Sequence, residues 1–144
     1  MGPVRRIYWD TMIHAYWFED NDALSLRVQQ IYSTMQKRGD LLCGSVFVLS
    51  ELLVGPLKAH NLAAADTIEQ FFDSDAVTML PYARESVRTF AELRANHGVK
   101  SLDALHLAIA ASAGVDLFLT HDRRLHKLMM PGLPFIASLD TDLF

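Results

Sequence analysis

The sequence predicts an α/β domain of three layers, α/β/α, with helices on both faces of a central parallel sheet. Three observations predict it. Short apolar runs alternate with longer segments of helical periodicity along the whole chain, and that alternation calls for parallel strands joined by crossover helices. A length of 144 residues suits one domain around one core, so residues 1–144 are read as a single domain. Hydrophobic residues make up 51% and charged residues 21%, which excludes a disordered chain.

The elements follow in order. Strands are read at about 4–9, 41–43, 76–80, 116–120 and 134–137. After the first strand, Asp10-Thr11 is placed to cap a helix that carries Tyr16-Trp17-Phe18. In 22–38, Leu24, Val28, Ile31 and Met35 recur at helical spacing. The segment 45–54 has two readings, since Val46-Phe-Val-Leu49 could extend the strand before it. Helix is preferred because Ser45 is a good N-cap after Gly44 and because the apolar run is long for a strand. Ala65, Ile68 and Phe72 mark a helix over 62–73, and Ala83, Val87, Phe90 and Ala91 another over 82–96, stopped by Gly98. Segment 102–113 is apolar nearly all round and should be deeply packed. Pro131-Gly132 turns the chain into the last strand. There are no repeats, linkers or low-complexity segments.

Composition narrows the function. A formal net charge of −4 gives no global basic field to advertise a nucleic-acid partner. Arg123, Arg124 and Lys127 could form a local phosphate-holding patch, as could Arg84, Arg88 and Arg94; a solvated helix face is the plainer reading of both. The one cysteine, Cys43, allows no intramolecular disulfide and reads as a small buried residue, which fits a reducing cytoplasm. No signal peptide is visible, and Met1-Gly2 lacks the Ser or Thr at position 6 that myristoylation needs. The longest apolar stretch, around Ala104 to Val115, is too short to span a bilayer, so no membrane role is expected.

Four carboxylates carry the chemistry: Asp10, Glu51, Asp103 and Asp122. Each lies at or near a point where an apolar strand gives way to a helix, and the ligand crevice of an open parallel sheet lies beyond those strand ends. Glu51 meets only Phe47, Val48, Val54 and Gly55 on its own helical face, so no local ion pair supports it. Such an acid must find compensation elsewhere, become neutral, or face a cleft; removing the compensation of a buried charge costs about 3–5 kcal/mol. Asp103 meets His106 and Leu107 one turn on and would gain from a helix N-terminus. For Asp10, Asp122 and Asp103 the competing reading is helix capping. Four capping accidents on one side of one sheet are a weak explanation of the set.

If the four converge, their repulsion raises some pKa values unless a cation is bound. An all-oxygen cluster suits Mg²⁺ or Mn²⁺, whereas zinc recruits His or Cys. The histidines offer little zinc signal: His121 and His126 are five apart, and His14, His60, His97 and His106 are isolated, with ordinary surface or core roles expected. Carboxylate-held Mg²⁺ with open water positions is equipment for phosphoryl chemistry.

At Lys100-Ser-Leu-Asp-Ala-Leu-His-Leu-Ala-Ile-Ala, followed by Asp116-Leu-Phe-Leu-Thr-His-Asp-Arg-Arg-Leu125, the chain resembles PIN-domain proteins, most of all the VapC-type toxins of toxin–antitoxin systems. The resemblance runs from Ile7 to about Leu139. Ile7-Tyr-Trp-Asp-Thr11 resembles the first family motif, Ser50-Glu-Leu52 with Gly55 the second, Ser101-Leu-Asp-Ala104 the third and Thr120-His-Asp122 the fourth. It implies a PIN-like fold that cleaves RNA with Mg²⁺ or Mn²⁺, ligands Asp10, Glu51, Asp103 and Asp122, and Thr120 as a polar neighbour of the metal site. It also implies a homodimer and a cognate antitoxin that covers the site. Met12 stands where many members have Asn or Ser, and His121 where many have Asn; neither replaces a carboxylate.

Rival readings fit less well. A haloacid-dehalogenase-type phosphatase needs a second acid two residues after the first, where this chain has Met12. A receiver-type signalling domain wants an Asp at the end of the third strand, which here runs Met79-Leu80-Pro81. A housekeeping RNA-processing nuclease and a PIN-like binding module without activity remain the alternatives. Tyr16-Trp17-Phe18, running into Glu19, Asp20 and Asp22, cannot all face inward from one helix. They form either a contact surface or a lid over the core.

Overall fold

The computed structural model describes residues 3–19 and 22–144. Met1, Gly2 and Asp20, which entered the sequence reading, lie outside the described residues. The elements run β1 (Arg6–Trp9), α1 (Thr11–Glu19), α2 (Ala23–Arg38), β2 (Leu41–Gly44), α3 (Val46–Lys58), α4 (Leu62–Asp73), β3 (Thr78–Met79), α5 (Ser86–His97), α6 (Ser101–Ser112), β4 (Leu117–Leu119), a 3₁₀ turn (Leu125–Lys127) and β5 (Phe135–Ala137). The strands form one sheet in the order β3-β2-β1-β4-β5, and every pairing is parallel. This is the α/β architecture expected, a five-stranded parallel sheet flanked by helices.

The order places β1 in the centre and reverses the direction of winding between β1 and β4. A crevice is therefore expected beyond the carboxyl ends of those two strands. Side chains alternate across β1 and show that both faces are covered. Trp9 packs toward α1 and α2, with Trp17 6.5 Å and Tyr32 5.9 Å away between ring centroids. Tyr8 points the other way, toward His106 of α6 at 5.8 Å, and stacks on Phe118 at 5.4 Å. Ile7, Tyr8, Trp9 and Phe118 are fully buried, as is the apolar face of α6.

Local signals explain most boundaries. Ser45 caps α3 by accepting from the Val48 amide at 3.3 Å, which settles the ambiguous segment as helix. Gly98 ends α5 at φ 64°, a left-handed conformation that favours glycine. Gly44 is small for another reason: a Cβ there would sit 3.2 Å from both Phe72 and Val77. The strands are shorter than expected, β3 covering only Thr78–Met79 of 76–80 and β1 starting at Arg6 rather than 4, and two helix boundaries differ by several residues. Helix α3 continues four residues past 54 through Gly55-Pro56; Pro56 forfeits one intrahelical bond, but α1 and α4 pack against this helix and carry it on. Helix α5 begins at Ser86 rather than 82, because Ala83 accepts from the Ser86 amide at 2.9 Å in a turn after Pro81. The 3₁₀ turn was not anticipated. Tyr16, Trp17 and Phe18 are all half-buried: Trp17 covers the core at Trp9 and Tyr32, while Phe18 lines a cavity beside Glu51.

Candidate active site

Asp10 directly follows β1 and is 8% exposed. Its Oδ1 accepts from the Ile13 amide at 3.2 Å, so it does cap α1. Its Oδ2 accepts from the Thr120 hydroxyl, which comes from the end of β4. Capping α1 therefore does not turn Asp10 away from the end of β4. Burial raises the Asp10 pKa, against the lowering effect of those two hydrogen bonds. Thr120 in turn accepts from the Asp122 amide at 3.1 Å, so one hydroxyl ties the two strand ends across the reversal point.

Glu51 lies on α3 facing the same edge. The compensation it lacks locally arrives from two other elements: Thr11 donates to Oε1 at 2.6 Å, and Nε2 of His106 lies 2.8 Å from the same oxygen. Burial alone would push this carboxyl up, but the His106 and Thr11 hydrogen bonds outweigh it and hold the pKa below the usual range. A cavity of about 390 Å³ opens beside it, lined by Thr11, Met12, Phe18, Glu51, Pro56 and Ile68 among others. His106 is 2% exposed, and the ordinary core role expected for it is corrected here: it is a partner of Glu51. The signal was present in the sequence, since His106 lies one helical turn after Asp103 and Glu51 needed a remote donor.

Asp103 is the third residue of α6. It makes no hydrogen bond among the described residues, so capping does not explain it. Burial raises its pKa, and the nearby Asp122 charge raises it further; Glu51 adds a smaller push. Asp122 is held the opposite way. Arg124 grips both its oxygens, Nη2 at 2.8 Å and Nε at 3.1 Å, and donates its amide at 3.0 Å. The Arg124 side-chain hydrogen bond is the main reason the Asp122 pKa lies low. Asp103, Asp122 and Arg124 line a smaller cavity of about 120 Å³ with His97 and Lys100. Of the suspected basic patch, Arg124 thus belongs to the site. His121 is exposed and Met12 50% exposed; the His121 ring stands 6.1 Å from Tyr16, edge to face.

Asp103 is the link among the four acids: its charge acts on Asp10, and the charges of Asp122 and Glu51 act on it, at the carboxyl end of the sheet. Among the described residues no group of three or more His, Cys, Asp or Glu side chains is placed to hold a metal ion. An all-carboxylate edge of this kind fits Mg²⁺ or Mn²⁺, because Mg²⁺ is held by one or two carboxylates with waters and substrate phosphates rather than by a protein cage.

The PIN domain family pattern matches residues 7–129. The chain belongs to the PIN-domain family. PIN domains are typically nucleases that use divalent metals. No curated protein sequence matches the chain significantly. Among solved structures, a DNA-bound VapBC complex from Salmonella typhimurium matches at 18% identity with a TM-score of 0.73, covering 94% of this chain and 99% of that one. A VapBC complex from Rickettsia felis bound to promoter DNA matches at 15% identity and a TM-score of 0.70, over 92% and 98% of the two chains. A sarcin–ricin-loop-cleaving VapC toxin from Mycobacterium tuberculosis matches at 16% identity and a TM-score of 0.70, over 89% and 99%. At these identities the likeness establishes the fold. Among the described residues no helix is long and apolar enough to cross a membrane.

Proposed function

We propose that this chain, as one PIN domain over residues 1–144, is a Mg²⁺- or Mn²⁺-dependent endoribonuclease and the toxin of a toxin–antitoxin pair, acting in the cytoplasm. The observation that carries the reading is the meeting of Asp10, Glu51, Asp103 and Asp122 at one sheet edge, with Asp10 and Asp103 pushed toward protonation by burial and by neighbouring acids. Such a cluster is relieved by a cation. When bound, the metal supplies the charge that activates a water and steadies the attacking and leaving oxygens of a phosphodiester. Asp10 and Asp103 are its principal holders, with Glu51 and Asp122 completing the set. Thr120 fixes the orientation of Asp10. Arg124, 67% exposed in its side chain beside Asp122, is placed to meet a backbone phosphate. In-line attack would leave 5′-phosphate and 3′-hydroxyl ends.

Support for RNA and for an antitoxin comes from the neighbours: one is a toxin that cleaves the sarcin–ricin loop, and others are VapBC complexes. We infer a homodimer in isolation and a small partner chain that silences it. The test is cleavage of RNA by the pure protein with added Mg²⁺ or Mn²⁺, beside the Asp10→Asn and Asp103→Asn proteins. Both substitutions should abolish cleavage and leave the fold intact. Full activity of both, or undiminished activity in excess chelator, refutes the mechanism. Expression without a partner should slow growth, and the Asp10→Asn form should not. Harmless wild-type expression together with a monomeric mass in solution would instead favour a housekeeping nuclease or a binding module.

A further inference from the structure

The two oxygens of Glu51 have unequal surroundings. Oε1 accepts from Thr11 at 2.6 Å and faces His106 Nε2 at 2.8 Å. No hydrogen bond among the described residues reaches Oε2. Behind His106, Nδ1 lies 2.8 Å from the Tyr8 hydroxyl, which lies 2.9 Å from Ser45 Oγ. Ser45 is the N-cap of α3, the helix that carries Glu51. The hydrogen bonds therefore close a circuit: Glu51 on α3, His106 on α6, Tyr8 on β1, Ser45, and back to α3. His106, Tyr8 and Ser45 are buried.

Counting protons fixes the direction of the circuit. An ionised Glu51 can only accept, so Nε2 of His106 donates. If Nδ1 carries no proton, Tyr8 donates to it and Ser45 donates to Tyr8, and every proton has an acceptor. If Nδ1 also carried a proton, Tyr8 would have to donate to Ser45, and the Ser45 hydroxyl proton would have no acceptor among the described residues. Partners of this type orient ligands elsewhere by fixing the ring tautomer of a histidine; here the histidine is itself the outer partner and the carboxylate is what it orients.

We propose that His106, backed by Tyr8 and Ser45, is a positioning residue that occupies Oε1 of Glu51 and leaves Oε2 as the single oxygen presented to the cleft. The inference rests on the metal-dependent nuclease reading.

The test is Mn²⁺ affinity, read from the loss of the free-ion paramagnetic resonance signal, with the fold checked by circular dichroism and melting in chelator. His106→Leu should weaken Mn²⁺ binding by about 10–100-fold, the usual cost of losing an outer partner. His106→Gln, which can still donate to Glu51, should recover most of that. Tyr8→Phe removes one hydroxyl from a buried ring; it should weaken binding and replace the single Nε2–H pattern of the His106 imidazole nitrogen spectrum with a mixture. In a Glu51→Gln background, His106→Leu should have no further effect, because the two act as a unit.

Equal losses from His106→Leu with and without Glu51 would overturn the proposal, as would unchanged affinity in both His106→Leu and Tyr8→Phe. If His106→Leu does not fold, Tyr8→Phe and Thr11→Val decide the matter alone: unchanged affinity in both refutes the proposal. Asp10→Asn separates the two levels. Lost Mn²⁺ binding in Asp10→Asn with none lost in the His106 and Tyr8 variants refutes only the positioning role. No Mn²⁺ binding by the wild type, or none lost in Asp10→Asn, refutes the nuclease reading and this inference with it.

Discussion

His14 should make this protein sensitive to acid in a way that one substitution removes. It lies in the first turns of α1 and is 0% exposed. Neither ring nitrogen has a hydrogen-bond partner among the described residues. The ring sits 5.1 Å from Trp9 and 5.0 Å from Phe72 between centroids, in surroundings that cannot solvate a charge. Burial is the main cause that brings its pKa from the ordinary 6.5 down to about 3. As pH falls below 6.5 the unfolded chain takes up a proton that the folded chain refuses. The stabilising contribution is therefore complete above pH 6.5 and is lost progressively down to about pH 3. At about 1.4 kcal/mol per pH unit, the loss reaches about 2 kcal/mol at pH 5 and about 5 kcal/mol over the whole window. Domains of this kind hold only about 5–15 kcal/mol in total.

The perturbation is His14→Met, which keeps similar volume, suits the aromatic neighbours and cannot be protonated. Any packing penalty it carries is the same at every pH. Asp10 and Asp103, whose raised pKa values favour the folded state as pH falls, and Glu51 and Asp122, which act oppositely, are present in both proteins and cancel in the difference. The assay is urea unfolding of both proteins in chelator at several pH values from 8 to 5. The stability of His14→Met relative to wild type should rise by about 2 kcal/mol across that range. Parallel stability curves would refute the argument and show that the folded state gives the His14 proton a home.

The other predictions concern the acids. Asp103→Asn should raise the melting temperature in chelator by roughly 2 °C, the response to about 0.5–1 kcal/mol in a domain of this size, and should reduce the gain on adding Mg²⁺; an unchanged Mg²⁺ gain would show that Asp103 holds no metal. Asp40→Ala should cost about 1.5–3 kcal/mol in chemical unfolding, because the covered Asp40 carboxylate receives Arg5 Nη2 at 2.7 Å and Arg38 Nε at 3.3 Å; a cost near zero would mean that both guanidiniums find water. Arg124→Gln should leave the melting temperature unchanged, since its pair with Asp122 is solvent-exposed and screened, yet should lower the rate of RNA cleavage; unchanged cleavage would remove Arg124 from substrate contact.

What the sequence made legible was local. The alternation of apolar runs and helical stripes, the Ser45 cap and the Gly98 stop all act within one or two turns of themselves, and the cap and the stop appear where the pattern put them. Asp10 and Asp122 were legible because they follow β1 and β4, and Glu51 because it lies in the helix after β2; Asp103 departs from that pattern, since α6 follows α5 and not a strand. What stayed hidden was pairing at long separation. Asp40 looks like an ordinary turn acid until Arg5 is brought to it across the β1–β2 pairing, where the Leu41 amide donates to the Arg5 carbonyl at 2.8 Å. His106 looks like a core histidine on an apolar helix until Glu51, on a different helix, is laid against it. Yet one of these could be inferred. Glu51 has no cation within a turn, so compensation from another element was one of the three outcomes open to it. The element to search is the one that already sends a second acid to the same edge, namely α6 through Asp103, and the polar side chain one turn beyond that acid on the same face is His106. An acid stranded on an apolar face is thus a pointer to a distant donor, and the helical phase of its fellow acids narrows where that donor lies.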